Sequence, residues 1–280
     1  MKIGAILPQK EIGLDGGALR AYAEAAEDLG YHHLLAFDSV FIDNPYHEPL
    51  VLFGLLAGCT RRIELVTGIV VAPSRQTILL AKQATSLDIL SGGRLRLGLG
   101  VGWNRAEYAA MNVDFRGRGL RFEEQMMVLR RLWTEPSVTF QGRWHHFTET
   151  QLQLLPVQRP IPLWLGGFSD VVIERAGRLA NGWMPVDSDP TNPERYEELH
   201  RQITLLKDTA RAAGRAPDEL GIEAQAGVRL RWGNEENWAA HAQAWRALGA
   251  THLSVTTLEA GLTGVDAHID ALARMQRVLG

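Results

Sequence analysis

Strand-like and helix-like segments alternate along almost the whole chain, and this alternation limits the possible folds more than any other feature. The short apolar segment IGAIL is followed by a stretch in which Leu19, Tyr22 and Ala26 fall on one helical face. The same pairing of a buried strand with an amphipathic helix recurs until eight units can be counted. Since such units build parallel sheets, the sequence predicts a closed (β/α)8 TIM barrel, with an open doubly wound sheet as the lesser alternative.

The fourth unit departs from this pattern. Its strand, RLRLGLG, is not followed directly by a helix, because the next buried helical stripe runs from about Gly119 to Trp133. We therefore expect an insertion after strand four. The segment VTFQGRWHHFTE before strand five predicts a hairpin-like excursion, which either covers the barrel mouth or is a plain surface feature.

Composition excludes several classes of protein. The chain has 280 residues, 46% of them apolar, so we expect residues 1–280 to form a single domain with one core. The formal net charge is −3 and the basic residues are scattered, which makes nucleic acid an unlikely class of partner. Cys59 is the single cysteine, so a disulfide framework is impossible. Without a signal-like segment or a long apolar run, we expect a cytoplasmic protein that does not span a membrane.

In a TIM barrel the active site lies at the carboxyl ends of the strands. Polar and glycine-rich positions there concentrate on strands two to five, with a further acidic residue after strand six. They are Asp38, Gly68, Gly100–Asn104, Gly166–Ser169 and Asp187.

Two of these segments predict a binding site for an anion and a flat ring. GGFS leads from a strand into a helix, so its amides suit a phosphate, although a tight turn with Ser169 as helix cap explains it equally well. GLGVG lacks the spacing of a dinucleotide fingerprint. Its glycines would instead let a ring or chain lie against the strand end, with Trp103 and Asn104 as walls.

The remaining polar candidates have structural alternatives. Gly68 interrupts a β-branched run and predicts a bulge or a close backbone approach. Asp38 stands where a strand reaches the catalytic face, but Asp is also a common turn former and helix cap. The pairs His32–His33 and His145–His146 are interpreted as structural because neighbours in a strand diverge, so no metal site is expected.

Taken together, these segments resemble the bacterial luciferase-like monooxygenase superfamily, and within it the branch of oxidoreductases that use the deazaflavin coenzyme F420. The resemblance runs from Lys2 to about Pro185 and is strongest in LSGGRLRLGLGVGW. It implies a cofactor in the barrel mouth, room for which is made by the glycine run. It also implies a bulged strand three that supports the ring, with a non-prolyl cis peptide at or next to Gly68–Ile69.

The resemblance further assigns roles to the candidate residues. Val101, Gly102, Trp103 and Asn104 would line the cofactor side chain, Gly166, Gly167, Phe168 and Ser169 would hold its phosphate, and Asp38 would face the ring. Many relatives have a histidine directly after this aspartate, whereas this chain has Ser39. The first candidate proton donor is therefore Asp38, with His47 or Glu107 as the alternatives.

Three hypotheses about function remain open at this stage. The first is a deazaflavin-dependent oxidoreductase that transfers a hydride to or from a small molecule. The second is an FMN-dependent monooxygenase served by a separate reductase, and the third is a flavin-binding protein without catalysis. A homodimer is possible in each case. Four arginines near the inserted segment favour the anionic tail of the deazaflavin, unless they only solvate a surface helix: Arg105, Arg116, Arg118 and Arg121.

Overall fold

Eight parallel strand positions close into a barrel in the computed structural model, which describes residues 1–39, 46–186 and 189–280. In chain order the strands are β1 (Lys2–Ile6), β2 (His33–Ala36), β3 (Glu64–Thr67), β4 (Val70–Val71), β5 (Leu95–Gly100), β6 (Val138–Gln141), β7 (His146–Thr150), β8 (Leu163–Gly166), β9 (Gly182–Met184), β10 (Gly221–Arg229) and β11 (His252–Thr256). The order around the barrel is β3, β2, β1, β11, β10, β9, β8 and β5, and β5 pairs back onto β3 to close the sheet. The predicted TIM barrel is confirmed.

Helices follow the barrel strands and cover its outer face. In chain order they are α1 (Gln9–Ile12), α2 (Gly16–Asp28), α3 (Pro49–Cys59), α4 (Thr77–Leu90), α5 (Arg105–Ala110), α6 (Arg118–Thr134), α7 (Asp170–Leu179), α8 (Pro193–Ala212), α9 (Glu235–Ala247) and α10 (Gly264–Leu279). The predicted insertion after the fourth barrel strand, which is β5, consists of α5 and the segment that leads to α6. No helix among the described residues is both long and apolar enough to cross a membrane.

The hairpin before the fifth barrel strand, which is β8, is formed by β6 and β7, and these two strands pair antiparallel outside the barrel. Its turn is fixed to α6, because the Glu124 carboxylate accepts hydrogen bonds from the backbone amides of Arg143, Trp144 and His145 at 2.7–2.9 Å. The His145 ring binds Glu124 through Nδ1 at 2.7 Å and the Thr77 hydroxyl through Nε2 at 2.5 Å. His145 therefore has the structural role expected of it.

The inside of the barrel divides into an apolar layer and a polar layer. Towards the carboxyl ends of the strands, the apolar layer includes Leu35, Val66 and Met184. Towards the amino ends lies a network that we call the floor, formed by His33, Arg96, Glu223 and Ser254, all at most 2% exposed.

Each charge of the floor is paired. Arg96 Nη1 donates to Glu223 Oε2 at 2.9 Å, while the His33 ring and the Ser254 hydroxyl contact Glu223 Oε1 at 3.1 and 2.7 Å. Burial alone would raise the pKa of Glu223, but the neighbouring His33 and Arg96 hold it well below its usual range. The carboxylate is therefore ionised inside the barrel.

Candidate active site

Strand three is broken at the barrel mouth, where the chain leaves β3 at Thr67 and resumes pairing as β4 at Val70. The peptide bond between Gly68 and Ile69 is cis, as the resemblance implied. The Gln225 side-chain amide donates to the Gly68 carbonyl oxygen at 2.5 Å from β10, across the barrel. The partly buried Ile69 side chain packs against the apolar layer of the barrel interior.

The glycines of β5 make room for this broken strand. A Cβ at Gly98 would stand 1.9 Å from the Thr67 carbonyl oxygen, and one at Gly100 would stand 2.6 Å from Ile69 Cδ1. A Cβ at Gly102, whose φ is +64°, would stand 2.7 Å from Val71 Cγ1. The side-chain positions of these glycines are thus occupied by alternate residues of strand three, and the expectation that the run also makes room for a cofactor stays a prediction.

The loop from Gly166 to Ser169 connects β8 to α7. The Gly167 carbonyl oxygen accepts from Trp183 Nε1 at 2.6 Å and the Phe168 carbonyl oxygen accepts from Gln202 Nε2 at 3.0 Å. Ser169 occupies the N-cap position, yet its side chain makes no capping hydrogen bond. The Val172 amide donates to the Ser169 carbonyl oxygen at 2.8 Å, but the amides of Asp170 and Val171 have no such acceptor among the described residues, so the loop combines two backbone donors with a hydroxyl that does not cap the helix.

The segment from Val101 to Asn104 forms the neighbouring loop, since β5 and β8 are paired. Asn104 is the N-cap of α5, where its side chain accepts from the Ala106 amide at 2.9 Å. The Val101 carbonyl oxygen accepts from the Tyr108 hydroxyl at 2.5 Å. Trp103 is 74% exposed and Phe168 is 70% exposed, so two large aromatic side chains stand at the rim of adjacent loops.

Asp38, just beyond β2, is engaged in an ion pair. Its Oδ2 accepts from Arg75 Nη2 at 2.8 Å and from the Val71 amide at 3.4 Å. Arg75 Nη1 also donates to Glu48 Oε1 at 2.5 Å. Burial raises the pKa of Asp38, whose side chain is 5% exposed, while Arg75 opposes this shift. The charge of Arg75 is shared between two carboxylates, and Asp38 Oδ1 takes part in neither of these contacts.

The other two candidate proton donors lie in different surroundings. His47 is exposed, and its Nε2 contacts the Leu14 carbonyl oxygen at 2.8 Å, beside a small cavity formed largely by α2 and α3. Glu107 is 6% exposed within α5. Asp187 lies outside the described residues.

Two of the four arginines after the fourth barrel strand, β5, lie against one aromatic ring. The Arg118 and Arg105 guanidinium carbons lie 3.7 and 4.8 Å from the centre of the Phe115 ring, and Arg118 Nε donates to the Gly102 carbonyl oxygen at 3.1 Å. Arg118 and Arg121 also lower the pKa of Tyr108, which burial raises to about 12. Arg116 is exposed. At least one of the arginines expected to bind the anionic cofactor tail, Arg118, is thus hydrogen-bonded to the Val101–Asn104 loop.

Two site residues were missed in the sequence. Arg75 and Glu48 are separated from Asp38 by 37 and 10 positions, and each looks like an ordinary charged residue before a helix. Glu48 is in fact the N-cap of α3, accepting from the Val51 amide at 2.8 Å. Only the closure of the barrel brings these groups together.

Comparisons with known proteins agree with this geometry. The family model described as "Luciferase-like monooxygenase" matches residues 1–276. An F420-dependent hydroxymycolic acid dehydrogenase of Mycobacterium tuberculosis is 29% identical over 87% of this chain and 66% of its own length. An FMNH(2)-dependent dimethylsulfone monooxygenase of Pseudomonas putida is 26% identical over 73% of this chain and 56% of its own length. The solved structure of the monooxygenase RslO1 from Streptomyces bottropensis is 22% identical, with a TM-score of 0.81 over 99% of this chain and 97% of that one.

Proposed function

Because this chain belongs to the luciferase-like monooxygenase family, we propose that it is an oxidoreductase that binds coenzyme F420 at the barrel mouth. The reaction proposed is hydride transfer between this deazaflavin and a small organic substrate, carried out by residues 1–280 as one functional unit in the cytoplasm. The observation that carries the proposal is the combination of the broken strand three, packed on glycines, with the start of α7, where the Asp170 and Val171 amides and the Ser169 hydroxyl are not used for capping.

The residues of the mouth fit the parts of such a cofactor. Ile69 on the broken strand offers an apolar ledge for a flat ring. The Gly166–Ser169 loop offers amides and a hydroxyl for a phosphate, since its carbonyl oxygens are bound by Trp183 and Gln202 on the protein side. The Val101–Asn104 loop, with its exposed indole, would line the chain between ring and phosphate.

When bound, F420 supplies a two-electron carrier that accepts or gives a hydride. The protein then has to orient the substrate, exclude water and manage a proton. We assign the proton to Asp38, because burial raises its pKa and its Oδ1 lies outside the ion pair with Arg75. His47 and Glu107 remain secondary candidates, His47 being tied to a backbone carbonyl away from the broken strand.

The arginines near the inserted segment favour the deazaflavin over FMN. The tail of F420 continues through a phosphodiester into carboxylates, so its binding gains from cations beyond the phosphate loop. Arg105 and Arg118 are held against Phe115 beside Gly102, which gives them a fixed position near the proposed exit. The FMN-dependent monooxygenase, with a separate reductase, is the second candidate, and the dimethylsulfone enzyme is the observation in its favour. A binder without catalysis is the third.

A homodimer is part of the proposal. The helices α3 and α4 expose large apolar side chains on their outer faces, among them Val51 at 72%, Leu90 at 69% and Leu79 at 54%. Apolar side chains gathered in this way are typical of protein interfaces. Light scattering of the purified protein measures this directly, and a monomer at all concentrations would contradict it.

The experiment that tests the cofactor is titration of the purified apoprotein with F420 and with FMN. We expect F420 to bind more tightly by about ten-fold or more, a difference of about 1.4 kcal/mol. Its affinity should fall in high salt, because salt screens the exposed part of its anionic tail. Arg118→Met should reduce both the affinity for F420 and its salt dependence, whereas Arg274→Met on α10 is the control and should change neither.

The two remaining candidates predict other outcomes. Tighter binding of FMN, with oxygen consumption once the bound FMN is reduced, would replace the proposal with the monooxygenase. Tight binding of F420 without turnover across a panel of alcohols, ketones and activated alkenes would favour the binding protein.

A further inference from the structure

Three side chains of metal-ligating type meet at the amino-terminal end of the barrel, opposite the proposed cofactor site. His32 immediately precedes β2, Glu64 begins β3, and His252 begins β11. One ligand atom from each lies within 4.8 Å of the other two. The His32 and His252 rings are 5.6 Å apart, edge to face. This group lies on the solvent side of the floor.

Both imidazoles offer a free nitrogen. His32 Nδ1 is buried without a hydrogen-bond partner among the described residues, and lies 3.8 Å from Glu64 Oε2. His252 Nδ1 contacts the Thr251 hydroxyl at 2.8 Å, and this hydroxyl donates to the Ile222 carbonyl oxygen at 3.2 Å. With the hydroxyl proton directed to Ile222, His252 Nδ1–H donates to Thr251, and this tautomer leaves a lone pair on Nε2.

Two cations and two acids act on the imidazole rings, and Glu27, Arg62 and Arg94 line the same depression as His32. Lys2 and Arg96 are the cations and Glu64 and Glu223 the acids. Arg96 donates to Glu223 Oε2 and, through Nε, to Glu64 Oε2, each at 2.9 Å. Glu64 Oε1 takes no part in that bond. The guanidinium would hold the carboxylate in place while Oε1 acts as the ligand, as residues behind a metal ligand commonly do.

The group is accessible from solvent. His32 and Glu64 line a depression of about 430 Å³, His252 lines another of about 460 Å³, and Lys2 lines both. Ligand atoms of a tetrahedral zinc site are roughly 3.3 Å apart, so the side chains would have to draw in by up to about 1.5 Å. His32 and Glu64 are 34% and 27% exposed and have room for this movement.

We propose that His32, Glu64 and His252 bind a divalent metal ion of the zinc class, with water from the adjoining depressions as the fourth ligand. Two imidazoles and one carboxylate are donors that Zn²⁺ and Co²⁺ accept. The three ligands come from β2, β3 and β11, so the ion would link strands on both sides of β1 and stabilise the folded barrel. This site is independent of the cofactor at the mouth.

The test uses the untagged protein, freed of metal by a chelator and titrated with Co²⁺ and then with Zn²⁺. We expect one equivalent of Co²⁺ with the visible absorption of tetrahedral coordination, and its displacement by Zn²⁺. Zn²⁺ should raise the midpoint of thermal unfolding. His252→Ala should abolish these effects, and His32→Ala should weaken Co²⁺ binding by about ten-fold or more.

His146→Ala is the matched control, because His146 is exposed on β7 and belongs to the other histidine pair. It should bind Co²⁺ like the parent. If His252→Ala does not give a folded circular dichroism spectrum, the partly exposed His32 decides the question. The proposal is overturned if the parent binds no stoichiometric Co²⁺ or Zn²⁺, or if His32→Ala binds it as tightly as the parent does.

Discussion

The two ends of the barrel are built from the same strands but differ in what their polar groups contact. At the floor, His33, Arg96 and Glu223 are buried and bonded to one another. At the mouth, the loops leave an apolar ledge, exposed aromatic side chains and helix-start donors that their own helix does not use. At the floor the buried charges are paired within the protein, although His33 Nδ1 and Arg96 Nη2 have no hydrogen-bond partner among the described residues, while the mouth leaves groups suited to a ligand. We therefore expect stability to depend mainly on the floor and binding mainly on the mouth.

Removing the floor arginine should have the largest effect. Arg96→Met leaves Glu223 buried without its cation, which costs about 3–5 kcal/mol of the free energy of unfolding. Chemical denaturation measures this loss. The double variant Arg96→Met/Glu223→Gln is the control and should be more stable than the single variant. Equal or lower stability of the double variant would show that the ion pair is not what stabilises this end.

Gly167→Val should abolish measurable cofactor binding at the mouth. A side chain would stand among amides that must approach an anion, and its Cβ would lie 3.1 Å from Val172 Cγ1. Since Gly167 has a φ of +137°, the substitution also costs about 1–3 kcal/mol of stability. Calorimetric titration of the variant measures the binding.

Gly214 provides a control that separates the effect of backbone strain from the effect on cofactor binding. Gly214 has a φ of +71° and open space around its Cβ position, far along the chain after α8. Gly214→Val should lose comparable stability and bind the cofactor normally. If Gly167→Val binds as tightly as Gly214→Val, the assignment of the phosphate loop is wrong.

Asp38→Asn should slow turnover by about ten-fold or more while changing cofactor affinity little, because it removes a proton-transfer group and preserves shape. Steady-state kinetics with F420 measures this. Glu48→Gln removes the other carboxylate on Arg75 and should leave the rate within about two-fold of the parent. A rate unchanged in Asp38→Asn would mean that Asp38 only orients Arg75.

The pH dependence of the turnover rate gives a second test of the role of Asp38. Arg75 lowers the pKa of Asp38 against the larger effect of burial, so Arg75→Met should raise that pKa further. The limb of the rate profile that belongs to Asp38 should therefore move to higher pH. A limb that stays in place would belong to another group.

The smallest effect should come from Arg201, which pairs with Asp170 at the first position of α7 at 2.8 Å. Arg201→Ala leaves the Asp170 charge uncompensated beside the proposed phosphate site, so cofactor affinity should fall by about two- to five-fold. Arg195→Ala on the same helix is the control. No change in affinity would place the anion away from the start of α7.

Much of the architecture was predictable because it depends on local periodicity. The helix predicted from about Gly119 to Trp133 spans Arg118–Thr134. The cis peptide at Gly68–Ile69 was implied by the resemblance and is confirmed. The roles of the individual mouth residues, Asp38 included, stay predictions.

What sequence could not provide were contacts between distant strands. The pairing of Asp38 with Arg75, the meeting of His32 with His252 and the anchoring of the hairpin by Glu124 all depend on how the barrel closes. Periodicity identifies which face of an element is buried, but it does not say which element packs there.

Gly98, Gly100 and Gly102 pack in alternation against Thr67, Ile69 and Val71, so substitutions on the two strands should depend on one another. A larger residue at one of these glycine positions is tolerable only if the partner on the other strand retreats, and at Gly98 the partner is backbone. In a library that randomises both strands, surviving sequences should therefore be correlated pair by pair at positions 100 and 102, while position 98 stays glycine.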